Sequence, residues 1–160
     1  MVTLYKTLVR PHLEYCISMW SPHYTKDKEL LESVQHTFTR MIKEVRDKDY
    51  LNRLKELNLW TLEERRNRAD LVELFKMYKR FTAVHFESLF TLDCNNKGTS
   101  EHLNKLSKPR CQKDVKNIFS RRVINRWNAL HGETVSSSSI NAFKNRLNKI
   151  RLTRIGYFMD

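Results

Sequence analysis

Glycine and proline occur only three times each in 160 residues, and that scarcity constrains the fold more than any other feature. A chain of many short strands needs a turn roughly every 8–12 residues, and such turns draw heavily on these two residues. This sequence therefore reads as long helices, an all-α fold. Apolar residues make up 40% of it and charged residues 30%, a globular balance rather than that of a disordered chain. Neither an internal repeat nor a shift in composition divides it. The expectation is one irregular helical domain over 1–160, of about six helices, with one irregular or extended segment near residues 83–112.

Apolar periodicity places the elements. Residues 2–20 show Leu4, Leu8 and Val9, a kink or break at Pro11, then Leu13, Cys16 and Trp20, before Ser21-Pro22 ends the run. Leu30, Leu31, Val34, Phe38, Met41, Ile42 and Val45 form the clearest stripe and predict a core-facing helix, with Lys28, Glu32, His36, Arg40 and Lys43 opposite. A short helix capped by Asp49 follows, with Leu51, Leu54 and Leu57 apolar, and Asn58 stops it. Thr61-Leu62-Glu63-Glu64 matches a capping box. Its helix is expected to run to about Arg80 with Leu71, Leu74, Phe75, Tyr78 and Phe81 inward. Phe86, Leu89, Phe90 and Leu92 then anchor an irregular stretch, Asn95-Asn96-Lys97-Gly98 reads as a turn, and Leu103 to Ser107 as extended. A helix over 113–130 carries Val115, Ile118, Phe119, Val123, Trp127 and Leu130. Serines 136–139 offer an N-cap to a last helix with Ile140, Phe143, Leu147 and Ile150 inward.

The net charge is +12, and it is unevenly placed. Residues 1–100 hold seventeen basic and fourteen acidic side chains, whereas residues 101–160 hold thirteen and four. A polyanion such as an RNA or DNA backbone would favour that concentration, since each phosphate neutralised releases counterions. The bland alternative is a basic protein without a specific partner. Lys105, Lys108, Arg110, Lys113 and Lys116 are accompanied only by Asp114 and run into an expected helix start, whose free amides attract anions. They are the leading candidates for nucleic-acid contact. Arg65, Arg66 and Arg68 resemble a phosphate clamp, but Glu64–Arg68 and Arg66–Asp70 are helical i,i+4 pairs, which leaves mainly Arg65 free. No apolar run approaches membrane-spanning length and no signal-peptide core follows Met1. Cys16, Cys94 and Cys111 give no even framework. The expectation is an intracellular protein of cytoplasm or nucleus with no membrane partner.

Leu4-Tyr5-Lys6-Thr7-Leu8-Val9-Arg10-Pro11-His12-Leu13-Glu14-Tyr15-Cys16, followed by Trp20 and Pro22, resembles the segment just past the catalytic palm of LINE-type reverse transcriptases, most closely the jockey-like non-LTR retrotransposons. The likeness continues in order through Leu30-Leu31-Glu32, Val34-Gln35, Leu57-Asn58-Leu59, Thr61-Leu62-Glu63-Glu64-Arg65-Arg66, Lys108-Pro109-Arg110, Arg122-Val123-Ile124-Asn125-Arg126-Trp127-Asn128-Ala129-Leu130 and Phe143-Lys144-Asn145-Arg146-Leu147. Departures fall at Ser100-Glu101-His102, Ala69 and His131. The resemblance implies a thumb-like, C-terminal part of an RNA-directed DNA polymerase, which grips template–primer or element RNA while a palm domain does the chemistry. The alternative it leaves is a structural, protein-interacting piece that packs on that palm and has no activity of its own.

The residues themselves supply no catalytic site. Polymerisation needs paired carboxylates on two metal ions, and the chain has no Asp-Asp; Asp47 and Asp49 suit helix-end roles better. Cys94, His102 and Cys111, with His85 as a conceivable fourth ligand, do not have zinc-site spacing. No cofactor and no metal is expected. Cys16 reads as an inert core thiol, and Trp20, Trp60 and Trp127 as core rather than stacking platforms. Arg122 and Arg126 fall inside the apolar arc of the 113–130 helix. A buried charge there needs a carboxylate, and Glu14 and Asp70 are available. Arg122 is expected to be a structural charge and Arg126 to be peripheral.

Overall fold

The computed structural model describes residues 1–93, 104–110 and 118–159. Among them the chain is all-α, with one isolated antiparallel bridge between Leu92 and Leu106 and no strand. No helix of the described residues is long and apolar enough to cross a membrane. The chain forms two compact units, Met1–Arg66 and Asn67–Asp160.

The first unit opens with α1 (Val2–Leu4), a π-helical turn (Tyr5–Val9) and α2 (Arg10–Leu13). Pro11 has no N–H for the preceding turn, and that turn is wide: the Arg10 amide donates to the Tyr5 carbonyl. The helix does not reach Trp20 as the apolar pattern suggests. Cys16 takes a left-handed φ of 53°, the amides of Met19 and Trp20 both donate to its carbonyl at 2.9 and 3.2 Å, and the Trp20 indole donates to the Tyr15 carbonyl at 2.6 Å. The turn leaves Cys16 and Trp20 exposed and buries Ile17, so neither Cys16 nor Trp20 is core.

Helix α3 (Thr25–Arg40) departs further from expectation. Its buried residues are Gln35 and Thr39, while Leu30 and Met41 are 67% and 63% exposed and Val34 is exposed as well. A polar network turns the helix this way. The Tyr5 ring stacks on Phe38 at 4.3 Å and its hydroxyl donates to Gln35 Oε1 at 2.9 Å. Gln35 Nε2 donates to the Trp60 carbonyl at 2.9 Å and the Tyr50 hydroxyl at 3.1 Å. An amide satisfied at both ends can be buried at little cost. The helix stops at Arg40, so Ile42 and Val45 enter the core from the turns that follow. Helix α4 (Tyr50–Glu56) buries Leu54 and exposes Leu51, and Asn58 ends the segment at φ 48°, the left-handed conformation its residue type tolerates.

Helix α5 (Leu62–Tyr78) starts in the first unit and continues into the second. Its capping box forms as the sequence indicates: the Glu64 amide donates to Thr61 Oγ1 and the Thr61 amide to Glu64 Oε2, each at 3.1 Å. In the second unit Leu71, Leu74 and Phe75 are fully buried. Arg80 at φ 59° ends the run, the Phe81 amide closes on the Lys76 carbonyl at 2.8 Å, and Phe81 is exposed rather than inward.

A 3₁₀ turn (Phe86–Ser88), α6 (Phe119–Asn128), a short unanticipated α7 (Gly132–Val135) and α8 (Ile140–Thr153) complete this unit. Ser139 caps α8, its Oγ accepting from the Ala142 amide at 3.1 Å. Ile118 lies at the N-cap of α6 and is exposed, and residues 113–117 of the expected helix lie outside the described ones. The core is an aromatic chain. Phe75 stacks on Phe143 at 4.2 Å, Trp127 meets Phe143 and Tyr78, and Phe86 meets Tyr78 and Phe90.

Candidate nucleic-acid interface

The second unit builds its basic surface from a backbone clamp. Trp127 and Asn128 are the last side chains of α6. The Trp127 indole, fully buried, donates to the Asn104 carbonyl at 2.9 Å. Asn128 holds Leu106 from both sides: the Leu106 amide donates to Asn128 Oδ1, and Asn128 Nδ2 donates to the Leu106 carbonyl, both at 2.8 Å. On the opposite flank the Asp93 amide donates to the Lys105 carbonyl and the Ser107 amide to the Thr91 carbonyl, also at 2.8 Å. With the Leu106 side chain buried, residues 104–107 are tied down on both flanks.

Beyond this clamp the next residues, Lys108, Pro109 and Arg110, are all exposed. Lys108 Nζ donates to the neutral Asn125 Oδ1 at 2.9 Å. Across residues 104–110 and 118–159 the only carboxylate side chain is Glu133, and Asp93 is joined to Lys105 through the backbone. Lys105 is half-buried, and Lys113 and Lys116 lie outside the described residues. Several other basic side chains have structural duties. Arg146 Nη1 donates to Ser137 Oγ at 3.0 Å, and Arg154 Nη1 donates to the Ala129 carbonyl at 3.0 Å.

Arg122 meets one of the two carboxylates open to it. Its Nε donates to Asp70 Oδ2 at 2.7 Å and its Nη2 to Asp70 Oδ1 at 3.0 Å, a bidentate fork. The Asp70 side chain is 3% exposed and that of Arg122 15%. Arg126 is half-buried, and its Nη2 donates to the Met159 carbonyl at 3.4 Å.

In the first unit Arg65 is not the free cation the sequence suggests. It forks onto Glu14, with Nε donating to Oε1 and Nη2 to Oε2 at 2.8 Å. The reason is tertiary. The i,i+4 rule sees only partners on α5, whereas Glu14 comes from the turn after α2. Glu32 accepts from the Tyr50 hydroxyl and from the Leu62 amide, the latter at 2.9 Å. Burial holds its carboxyl above the usual carboxylate range, against those two hydrogen bonds. Burial likewise raises Tyr5 and Tyr50 well above an ordinary phenol, with Glu32 adding to both.

The remaining candidates divide. Trp127 is core, Trp60 is half-buried, and His85 is exposed. Cys94, His102 and Cys111 lie outside the described residues, among which no group of His, Cys, Asp and Glu could hold a metal ion. Sequence reasoning missed Asn128 and Gln35, because nothing marks an amide that will clamp a distant backbone. Comparison of the chain with protein-family models, with curated proteins and with solved structures finds no match.

Proposed function

We propose that this chain is the thumb-like, post-palm part of a non-LTR retrotransposon reverse transcriptase, and that its second unit contacts the RNA or DNA backbone without doing chemistry. The observation that supports this reading is the exposed Lys108-Pro109-Arg110 segment, which follows directly on the clamped residues 104–107. Trp127 and Asn128 hold its base rigidly, and Lys108 rests on a neutral amide rather than a carboxylate. Exposed cations with no carboxylate partner among the described residues suit phosphate contact, which positions a duplex and carries no sequence information. The protein would act in the cytoplasm or nucleus, where such elements copy themselves.

The test is binding of a labelled primer–template over a salt series. Affinity should fall steeply with salt and discriminate little between sequences. Lys108→Glu with Arg110→Glu should reduce the log–log salt slope by about 2, one for each phosphate contact. The same two charge reversals at Lys26 and Lys55, exposed in the first unit, should leave the slope nearly unchanged. Equal losses from both pairs would mean diffuse attraction and no site.

A second reading has its own observation. Met1, Leu4 and Leu8 on the N-terminal helices and Leu30, Val34 and Met41 on or beside α3 are exposed apolar residues within one unit. That is the surface expected of a piece that packs on a catalytic palm domain.

A further inference from the structure

Arg53 is a buried cation that no carboxylate meets among the described residues. It is 3% exposed. Its Nε donates to Thr39 Oγ1 at 3.1 Å and its Nη1 to the Lys48 carbonyl at 2.6 Å, both neutral acceptors. Its Nη2 is buried with no hydrogen-bond partner among the described residues. The carboxylates on neighbouring turns are engaged elsewhere: Glu32 by Tyr50 and the Leu62 amide, Asp49 by Asn52, and Glu56 by Lys48. A buried guanidinium is normally paired with an anion, because desolvation otherwise goes uncompensated.

An imidazole and a second guanidinium on α3 lie near Arg53. The Arg53 guanidinium lies over the Tyr50 ring at 5.6 Å, and the His36 imidazole meets that ring at 4.9 Å. Arg40 sits one turn beyond His36 on α3, exposed and without an ion pair among the described residues. Burial, then Arg53 and Arg40, hold His36 below its ordinary range, and no carboxylate offsets them. The cluster runs from buried Arg53 through half-buried His36 to exposed Arg40.

We propose that the α3–α4 corner of the first unit binds a phosphate group, with Arg53 as its inner donor and His36 and Arg40 as its outer ones. A planar fork with a spare N–H suits a tetrahedral oxyanion, and a phosphate supplies the counter-charge the fold withholds. This site is separate from Lys108 and Arg110, and either assignment can fail without the other.

The experiment titrates the full ¹⁵N-labelled chain with sodium phosphate, using sodium chloride at matched ionic strength as control, and follows the arginine Nε–H resonances and the melting temperature. Phosphate should shift the Arg53 Nε–H signal and raise the melting temperature, and chloride should do neither. His36→Gln with Arg40→Ala leaves Arg53 in place and should weaken the phosphate response by about tenfold, as expected for losing charge-assisted contacts. A short oligothymidylate then separates the sources. Saturation at lower phosphate-group concentration than the inorganic ion assigns the site to a nucleic-acid backbone, and a response to inorganic phosphate alone assigns it to the free ion. An Arg53 signal indifferent to both probes overturns the proposal, as does a phosphate response that the double variant keeps in full.

Discussion

Replacing Arg122 by methionine keeps the apolar stem of the side chain and removes only its charged fork. Asp70 then loses the hydrogen bonds from Nε at 2.7 Å and Nη2 at 3.0 Å while remaining almost wholly buried. Removing one partner of a buried ion pair costs about 3–5 kcal/mol, chiefly because the other charge stays desolvated. Arg122 retains some exposure, which places the expected cost at the lower end, about 3 kcal/mol. For a chain of this size each kcal/mol lowers the melting temperature by about 2–4 °C, so a fall of about 6–12 °C is expected in a circular-dichroism melt at neutral pH. Adding Asp70→Leu to Arg122→Met removes the other half of the pair and should recover part of the loss, a coupling the double-mutant cycle measures directly. A fall under about 2 °C would show that the pair carries no structural weight. If stability held while nucleic-acid binding vanished, Arg122 would belong to the binding surface instead.

Arg126→Met removes a long contact to the Met159 carbonyl and no bidentate ion pair like that of Arg122, so it should cost clearly less than Arg122→Met in the same melt. Burial raises the Glu32 carboxyl, so the folded chain holds that proton more tightly than the unfolded chain does. Its contribution is full below the ordinary carboxylate range and is lost as pH rises through the folded value. Glu32→Gln should therefore gain on the wild type as pH is raised from acid to neutral, and a difference flat with pH would count against the buried charge. Leu30→Ser with Met41→Ser should cost little stability and reduce binding of a hydrophobic dye, whereas Leu54→Ala in the same unit should cost about 2–5 kcal/mol.

How much of the fold was legible in the sequence depended on whether a signal was local. The Thr61–Glu64 capping box, the stop at Asn58, the Ser139 cap and the inward face of α8 rest on residues close to one another along the chain, and each forms as the pattern indicates. Apolar periodicity failed where a polar group found distant partners. Gln35 is buried because Tyr5, Tyr50 and Trp60 converge on it from three other segments, and its helix turns Leu30 and Met41 outward to admit it. Cys16 and Phe81 were misplaced for a related reason. Each follows from a backbone turn with a left-handed residue that is not glycine, at Cys16 and Arg80, and residue type gives no warning of such a turn. Charge density marks Lys108 and Arg110, which are exposed in the structure, and nothing in the sequence marks the Asn128 clamp on the Leu106 backbone just before them.

The sequence blocks that carry the resemblance to reverse transcriptases meet one another in the fold, block against block, within each unit. Tyr5 reaches Gln35, Glu14 reaches Arg65, and Glu32 reaches the Leu62 amide in the first unit. In the second, Asn125 from the Arg122–Leu130 block holds Lys108, and Asn128 holds the backbone two residues before it. A polar side chain committed to a neighbouring block is unavailable for ligand, so most of the charged residues in these blocks serve the scaffold. Subtracting them leaves few basic groups in the blocks that are exposed and have no carboxylate partner among the described residues, and Lys108 and Arg110 are foremost among them. Arg53 lies outside every block, yet it is a buried cation that the scaffold leaves without an acid. On the proposed reading, charge reversal at the exposed Lys108 and Arg110 should change affinity with little effect on stability. Removal of Arg122 should do the opposite.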